Sequence, residues 1–111
     1  MVDLDKLKER GCDVDLAIKR CADDRELYIE LVEEVLEEER YLQLKNLLEE
    51  ADWNRSFEYA HALKGVAANL SLTPVEEAVT QLVEALRPGE VIEYNEMLEK
   101  LIEARKRLVL R

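Results

Sequence analysis

The sequence predicts an all-α fold, an antiparallel up-and-down four-helix bundle with two short N-terminal helices covering one end. Three observations lead there. The chain is rich in Leu, Glu, Lys, Ala and Arg and has only three glycines and two prolines in 111 residues, a composition suited to long helices. Between those breakers, apolar residues recur at spacings of three and four, which is a helical period and not the alternation of a strand. Nearly half of the residues are apolar (48%), enough for one core without disulfide or metal staples. Residues 1–111 therefore read as a single domain, with the bundle core over about 24–110.

Each element follows from its own residues. Asp3 opens and Gly11 closes a first short helix, and Asp13 or Asp15 caps a second that carries Leu16, Ala17 and Ile18. From Asp24 to about Ala51 there is no Gly or Pro, and Leu27, Leu31, Val35, Leu44, Leu47, Leu48 and Ala51 keep helical spacing. This is one long helix or two nearly collinear ones. The run Glu37-Glu38-Glu39 breaks the apolar phase and marks the place for a kink or joint, and is otherwise a solvated face.

Asp52 and Asn54 offer caps for the next helix, which runs through Trp53, Phe57 and His61 to about Leu70. Thr73-Pro74-Val75-Glu76 reads as a capping box with proline at the first helical position. The helix it opens reaches Leu86, with Val75, Val79, Leu82 and Leu86 on one stripe. Arg87-Pro88-Gly89 makes the last sharp turn, and a final helix runs to the C-terminus on Val91, Tyr94, Leu98, Leu101, Arg105 and Leu108. Four substantial amphipathic helices on short connections pack most simply up and down. No apolar stripe is left uncovered once the bundle closes, so a monomer is expected.

The formal charge of -10 argues against a nucleic-acid partner, because such binding rests on clustered Lys and Arg neutralising phosphates. It also disfavours anionic membrane surfaces; its first effect is to keep a small helical domain soluble. No apolar run is long enough to span a bilayer, and Met-Val-Asp-Leu-Asp-Lys lacks the basic and apolar regions of a signal peptide, so a cytoplasmic protein is expected. Cys12 and Cys21 stand nine positions apart without partner histidines, which fits neither a zinc site nor a redox pair. They are expected to be partly buried free thiols.

The informative segment is Ala60-His61-Ala62-Leu63-Lys64-Gly65-Val66-Ala67-Ala68-Asn69-Leu70. On a helical wheel at about 100° per residue, Tyr59, Ala60, Leu63, Val66, Ala67 and Leu70 form a core stripe and His61 points nearly the opposite way. Asn54, Phe57, Glu58, Lys64, Gly65, Ala68 and Asn69 surround the imidazole, since positions three, four, seven and eight apart are surface neighbours. A mid-helix glycine costs about 1 kcal/mol relative to Ala, and close approach of another molecule to the backbone at Gly65 supplies a reason for it. Lys64, one turn on, can reach the oxygens of a phosphoryl group on His61 as a mobile point charge. An imidazole, with a reference pKa of about 6.5, offers a nitrogen nucleophile at cellular pH without a dedicated base.

This segment resembles the histidine phosphotransfer family, whose helix carries His-x-Leu-Lys-Gly followed by small residues; His61, Leu63, Lys64, Gly65, Ala67 and Ala68 match in register. The likeness extends upstream through Gly11-Cys12-Asp13-Val14-Asp15 and Asp24-Arg25-Glu26-Leu27-Tyr28, and covers nearly the whole chain. The resemblance implies a four-helix bundle in which His61 takes the phosphoryl group and Lys64 stabilises it. Response-regulator receiver domains would be the partners, supplying the aspartate and the Mg²⁺, with a histidine kinase as a further candidate. No cofactor of the chain's own and no independent turnover are implied, because in-line transfer is mostly positioning and charge neutralisation.

Phe57, Ala62, Ala68 and Asn69 are the candidate docking residues around His61. For Phe57 two readings stand: an anchor for the receiver, or an aromatic tucked against the long preceding helix. One position departs from the pattern, since many members have glycine where this chain has Ser71. That is expected to alter the helix terminus and leave transfer intact.

A hydrolase is disfavoured by the single histidine and by the lack of a nucleophile elbow or a convergent metal-ligand set. The chain has no room or glycine-rich motif for an ATP-binding domain. Two alternatives remain open: the phosphotransfer part of a larger chemotaxis-type or hybrid kinase, and a helical interaction module that keeps the bundle without the relay.

Overall fold

The computed structural model describes residues 2–88 and 93–109. Gly89, of the expected last turn, and Val91, of the expected last helix, lie outside the described residues. The described residues form seven helices and no strand: α1 (Leu4–Glu9), α2 (Val14–Arg20), α3 (Arg25–Val35), α4 (Glu38–Glu49), α5 (Trp53–Asn69), α6 (Thr73–Leu86) and α7 (Asn95–Val109). α5 packs most extensively on α6, α6 on α7 and α4 on α5, while α1 and α2 lead into α3. One continuous core runs through all seven, including Leu7, Tyr28, Tyr41, Leu48, Leu63, Leu82 and Leu101.

The N-termini follow the acidic caps. The carboxylates of Asp3, Asp13, Asp24 and Asp52 accept from backbone N–H groups at the starts of α1, α2, α3 and α5, satisfying donors that the first helical turn cannot. The expected capping box on α6 does not form. Leu72 occupies the cap without a side-chain bond, and Thr73 is already inside the helix. The backbone N–H of Thr73 is instead directed at the buried Cys12 thiol.

The C-termini share one device. After α1, α2, α4 and α5 the residue beyond the cap takes a positive φ: Gly11 (93°), Ala22 (56°), Ala51 (57°) and Ser71 (55°). Its N–H and that of the next residue then bond back into the last turn, as in Ser71 N to Ala68 O (3.1 Å) and Leu72 N to Ala67 O (2.9 Å). These paired bonds are Schellman motifs, and only the first has glycine at the left-handed position.

The joint expected near Glu37 is present, between α3 and α4. Three carbonyls around it are each given a donor: Glu34 O from Arg40 Nε (2.9 Å), Val35 O from the Tyr41 hydroxyl (3.1 Å) and Leu36 O from Arg105 Nε of α7 (2.6 Å). The last bond explains why Arg105 falls on the apolar stripe of α7, where it lies over the Tyr41 ring at 5.8 Å. Tyr94 precedes α7 and meets Trp53 edge-on, with ring centroids 6.3 Å apart.

Candidate functional site

α5 carries the site, and its two faces divide largely as its sequence prescribes. Ala60, Leu63, Ala67 and Leu70 are buried, joined by Ser56, which the apolar pattern could not announce. Small side chains at 56, 60 and 67 allow neighbouring helices to approach closely. Val66, assigned to the core stripe, is 40% exposed. It borders a groove with Val35, Arg40, Tyr59, Ala62 and Leu63, so the stripe is narrower than the wheel implied.

His61 is exposed, and among the described residues no hydrogen bond or ion pair holds its ring. Its neighbour is Phe57, one turn earlier, with centroids 5.7 Å apart and planes inclined at 31°. Phe57 is half-buried against the core, and the guanidinium of Arg87, at the end of α6, lies over its ring at 5.5 Å. Lys64 is half-buried, and no ion pair among the described residues engages its ammonium group. A Cβ built on Gly65 would meet nothing within 4 Å, so the chain's own packing gives no reason for the glycine. Ala62 and Asn69 are exposed and Ala68 is half-buried. The expected site residues thus lie on and around one outward strip of α5.

The family model of the Hpt domain matches residues 25–109. The chain belongs to the Hpt domain family. Hpt domains are phosphoryl carriers of two-component signalling that work with receiver domains and kinases. No curated protein and no solved structure matches the chain. No helix among the described residues of this Hpt domain is long and apolar enough to cross a membrane.

The matched region begins at α3, yet α2, which precedes it, joins α3 in closing the end of α5. Arg20 of α2 donates through Nη1 to Ala68 O (3.2 Å) and Asn69 O (3.3 Å), and the buried Tyr28 hydroxyl donates to Leu70 O (2.8 Å). These are last-turn carbonyls beyond the reach of the regular helical N–H donors; Ala68 O also accepts from Ser71 N. Burial pushes the Tyr28 hydroxyl up from its ordinary pKa, with Cys12, Cys21 and Asp13 nearby adding to the effect. It therefore stays a donor. Sequence reasoning missed Arg20 and Tyr28 as supports and Arg87 as a neighbour of the site. Only the basic last turn of α2 was visible as a signal, since a cation there suits the local carbonyls.

Proposed function

We propose that this Hpt domain accepts a phosphoryl group on His61 from the aspartyl phosphate of one receiver domain and passes it to the aspartate of another. The observation that carries the reading is that the chain's only histidine stands exposed on α5 with no hydrogen-bond partner among the described residues. An unprotonated ring nitrogen forms the N–P bond as the acyl-phosphate O–P bond breaks, and the receiver aspartate leaves as a carboxylate. The return step reverses this on the second receiver.

Lys64 neutralises charge on the transferring oxygens, and the bare backbone at Gly65 leaves room for the phosphoryl group and the incoming receiver loop. Both are positioning and electrostatic effects, which supply most of the catalysis in this class of reaction. The cations near His61 suit a phosphoryl anion and not a divalent metal, so the Mg²⁺ is assigned to the receiver and this chain is taken to need no cofactor. Ala62, Ala68, Asn69 and Phe57 form the rim on which the receiver docks.

The architecture we infer is the up-and-down antiparallel bundle of α3/α4, α5, α6 and α7, with α1 and α2 across the end where α5 stops. Among the described residues the large exposed apolar side chains, Leu16, Leu27, Leu42, Val66 and Val109, are distributed one to a helix, which favours a monomer. Work with receivers implies a cytoplasmic setting.

The test is to mix the protein with a receiver already phosphorylated on aspartate, with Mg²⁺, and to follow acid-labile, alkali-stable phosphate on this chain. Wild type should become labelled and His61→Gln should not, with helicity and melting temperature unchanged in the variant. Labelling of His61→Gln, or collapse of its fold, would refute the assignment.

A further inference from the structure

We infer that Arg87 is a positioning residue for phosphotransfer: it fixes the ring of Phe57, which in turn sets the orientation of the His61 imidazole. The inference rests on His61 being the phosphoryl acceptor and adds a device that holds it.

The nucleophile has to present one ring nitrogen in line with the phosphorus, yet no hydrogen bond or ion pair among the described residues fixes its rotamer. The ring contact available is Phe57, whose face meets the imidazole at 5.7 Å and 31°. Phe57 and His61 are one turn apart on α5, where side chains meet along the helix surface. That contact orients the imidazole only if the phenyl ring is itself held.

Arg87 supplies the hold from a different helix. It is the residue that ends α6, with its backbone N–H bonded to Val83 O at 3.0 Å. Its guanidinium carbon lies 5.5 Å from the Phe57 centroid, and its Nη2 is bonded to Glu84 Oε1 at 3.2 Å. The guanidinium is thus oriented by a carboxylate on its own helix and rests on the ring of α5, within the reach of a cation–π contact. Because α5 and α6 form the most extensive helix pair in the fold, the registry between Arg87 and Phe57 is set by the core. Acting through the ring, Arg87 needs no contact with the phosphoryl group.

The experiment compares wild type, Arg87→Ala, Arg87→Lys, Phe57→Leu and the double variant Arg87→Ala/Phe57→Leu. Two readouts are taken: the His61 ring-proton chemical shifts in the unphosphorylated protein, and the transfer rate from a saturating phosphorylated receiver. Arg87→Ala should move the ring-proton shifts toward those of an unstacked imidazole and slow transfer by about two- to five-fold, the size of an exposed cation–π contact. Arg87→Lys should recover most of both. In the Phe57→Leu background, removing Arg87 should change nothing further, since the arginine acts only through the ring.

Unmoved ring-proton shifts in Arg87→Ala would overturn the inference. So would a rate loss of equal size with and without Phe57, which would mean that Arg87 acts on the receiver directly. If wild type accepts no phosphoryl group, the relay reading fails, and the ring-proton shifts with their dependence on Phe57 still decide the positioning claim.

Discussion

Replacing Ser71 with glycine should make this domain more stable. Ser71 holds φ at 55° in the motif that ends α5, a conformation that costs an L-residue roughly 1–2 kcal/mol and glycine almost nothing. Glycine gives back about 0.4–1 kcal/mol through the greater freedom of the unfolded chain. The Ser71 hydroxyl makes no hydrogen bond among the described residues, so little else is lost. The difference is a gain of about 0.5–1 kcal/mol, or roughly 2–6 °C in melting temperature for a domain of this size.

Thermal and urea unfolding followed by far-ultraviolet circular dichroism would measure it, with an unchanged urea slope confirming that the same surface unfolds. Ala51→Gly is the companion, since Ala51 has φ 57° and is exposed, and its stability should rise by a similar amount. Gly11→Ala, at φ 93°, should lose stability. If Ser71→Gly and Ala51→Gly both melt at or below wild type, left-handed strain is not stored at these caps. Transfer through His61 should be unaffected, because both motif hydrogen bonds remain available to glycine.

Gly65→Gln should separate stability from activity. With nothing within 4 Å of the added Cβ, the variant should gain up to about 1 kcal/mol of helix stability while transfer slows on the order of ten- to a hundred-fold. Equal transfer rates in stopped-flow or quenched-flow assays would reject the close-approach account of the glycine. The domain should also lose stability at alkaline pH. Burial pushes the Cys12 thiol up from 9.0 to about 11, so between those values the unfolded chain releases a proton that the folded one keeps, and unfolding is favoured as pH rises. Urea midpoints measured across that window should fall in wild type and fall less in Cys12→Ala.

The all-helical class and most helix starts were legible because their signals are local, while the pattern from Asp24 to Ala51 fits one helix or two and the structure has two, α3 and α4. Asp3, Asp13, Asp24 and Asp52 lie immediately before helical segments, and each one caps. The ends were harder to read. Three of the four left-handed caps use Ala22, Ala51 or Ser71 in place of glycine, so the residue that normally marks such an end is missing from the sequence. The capping box at Thr73 failed for a related reason: Leu72 belongs both to the motif ending α5 and to the start of α6, and with so short a connection the helix begins one residue earlier than the pattern suggests. At the site, His61, Lys64, Gly65 and their exposed strip were readable because one helix presents them all. Arg87, Arg20 and Tyr28 were not, because their contacts reach α5 from other helices and depend on packing that no local spacing encodes.

A phosphoryl carrier has to keep one nitrogen accessible to successive partners while holding the helix beneath it still. Here the two demands fall on different parts of α5. Stiffness comes from its buried side and its ends: Asp52 caps the N-terminus, and Arg20 and Tyr28 supply donors to the last carbonyls. Accessibility comes from the opposite strip, where His61, Gly65 and Asn69 are exposed. On the proposed reading, a change at the exposed Ala62 or Asn69 should alter partner choice at little cost to the fold, whereas a change at Tyr28 or Arg20 should loosen the helix end away from that strip. The paired arrangement at the α3–α4 joint, where Tyr41, Arg40 and Arg105 serve three successive carbonyls, follows the same rule. In both places a tyrosine hydroxyl and arginine donors allow a helix to stop inside the bundle, so the break satisfies its polar groups without calling on the exposed strip around His61.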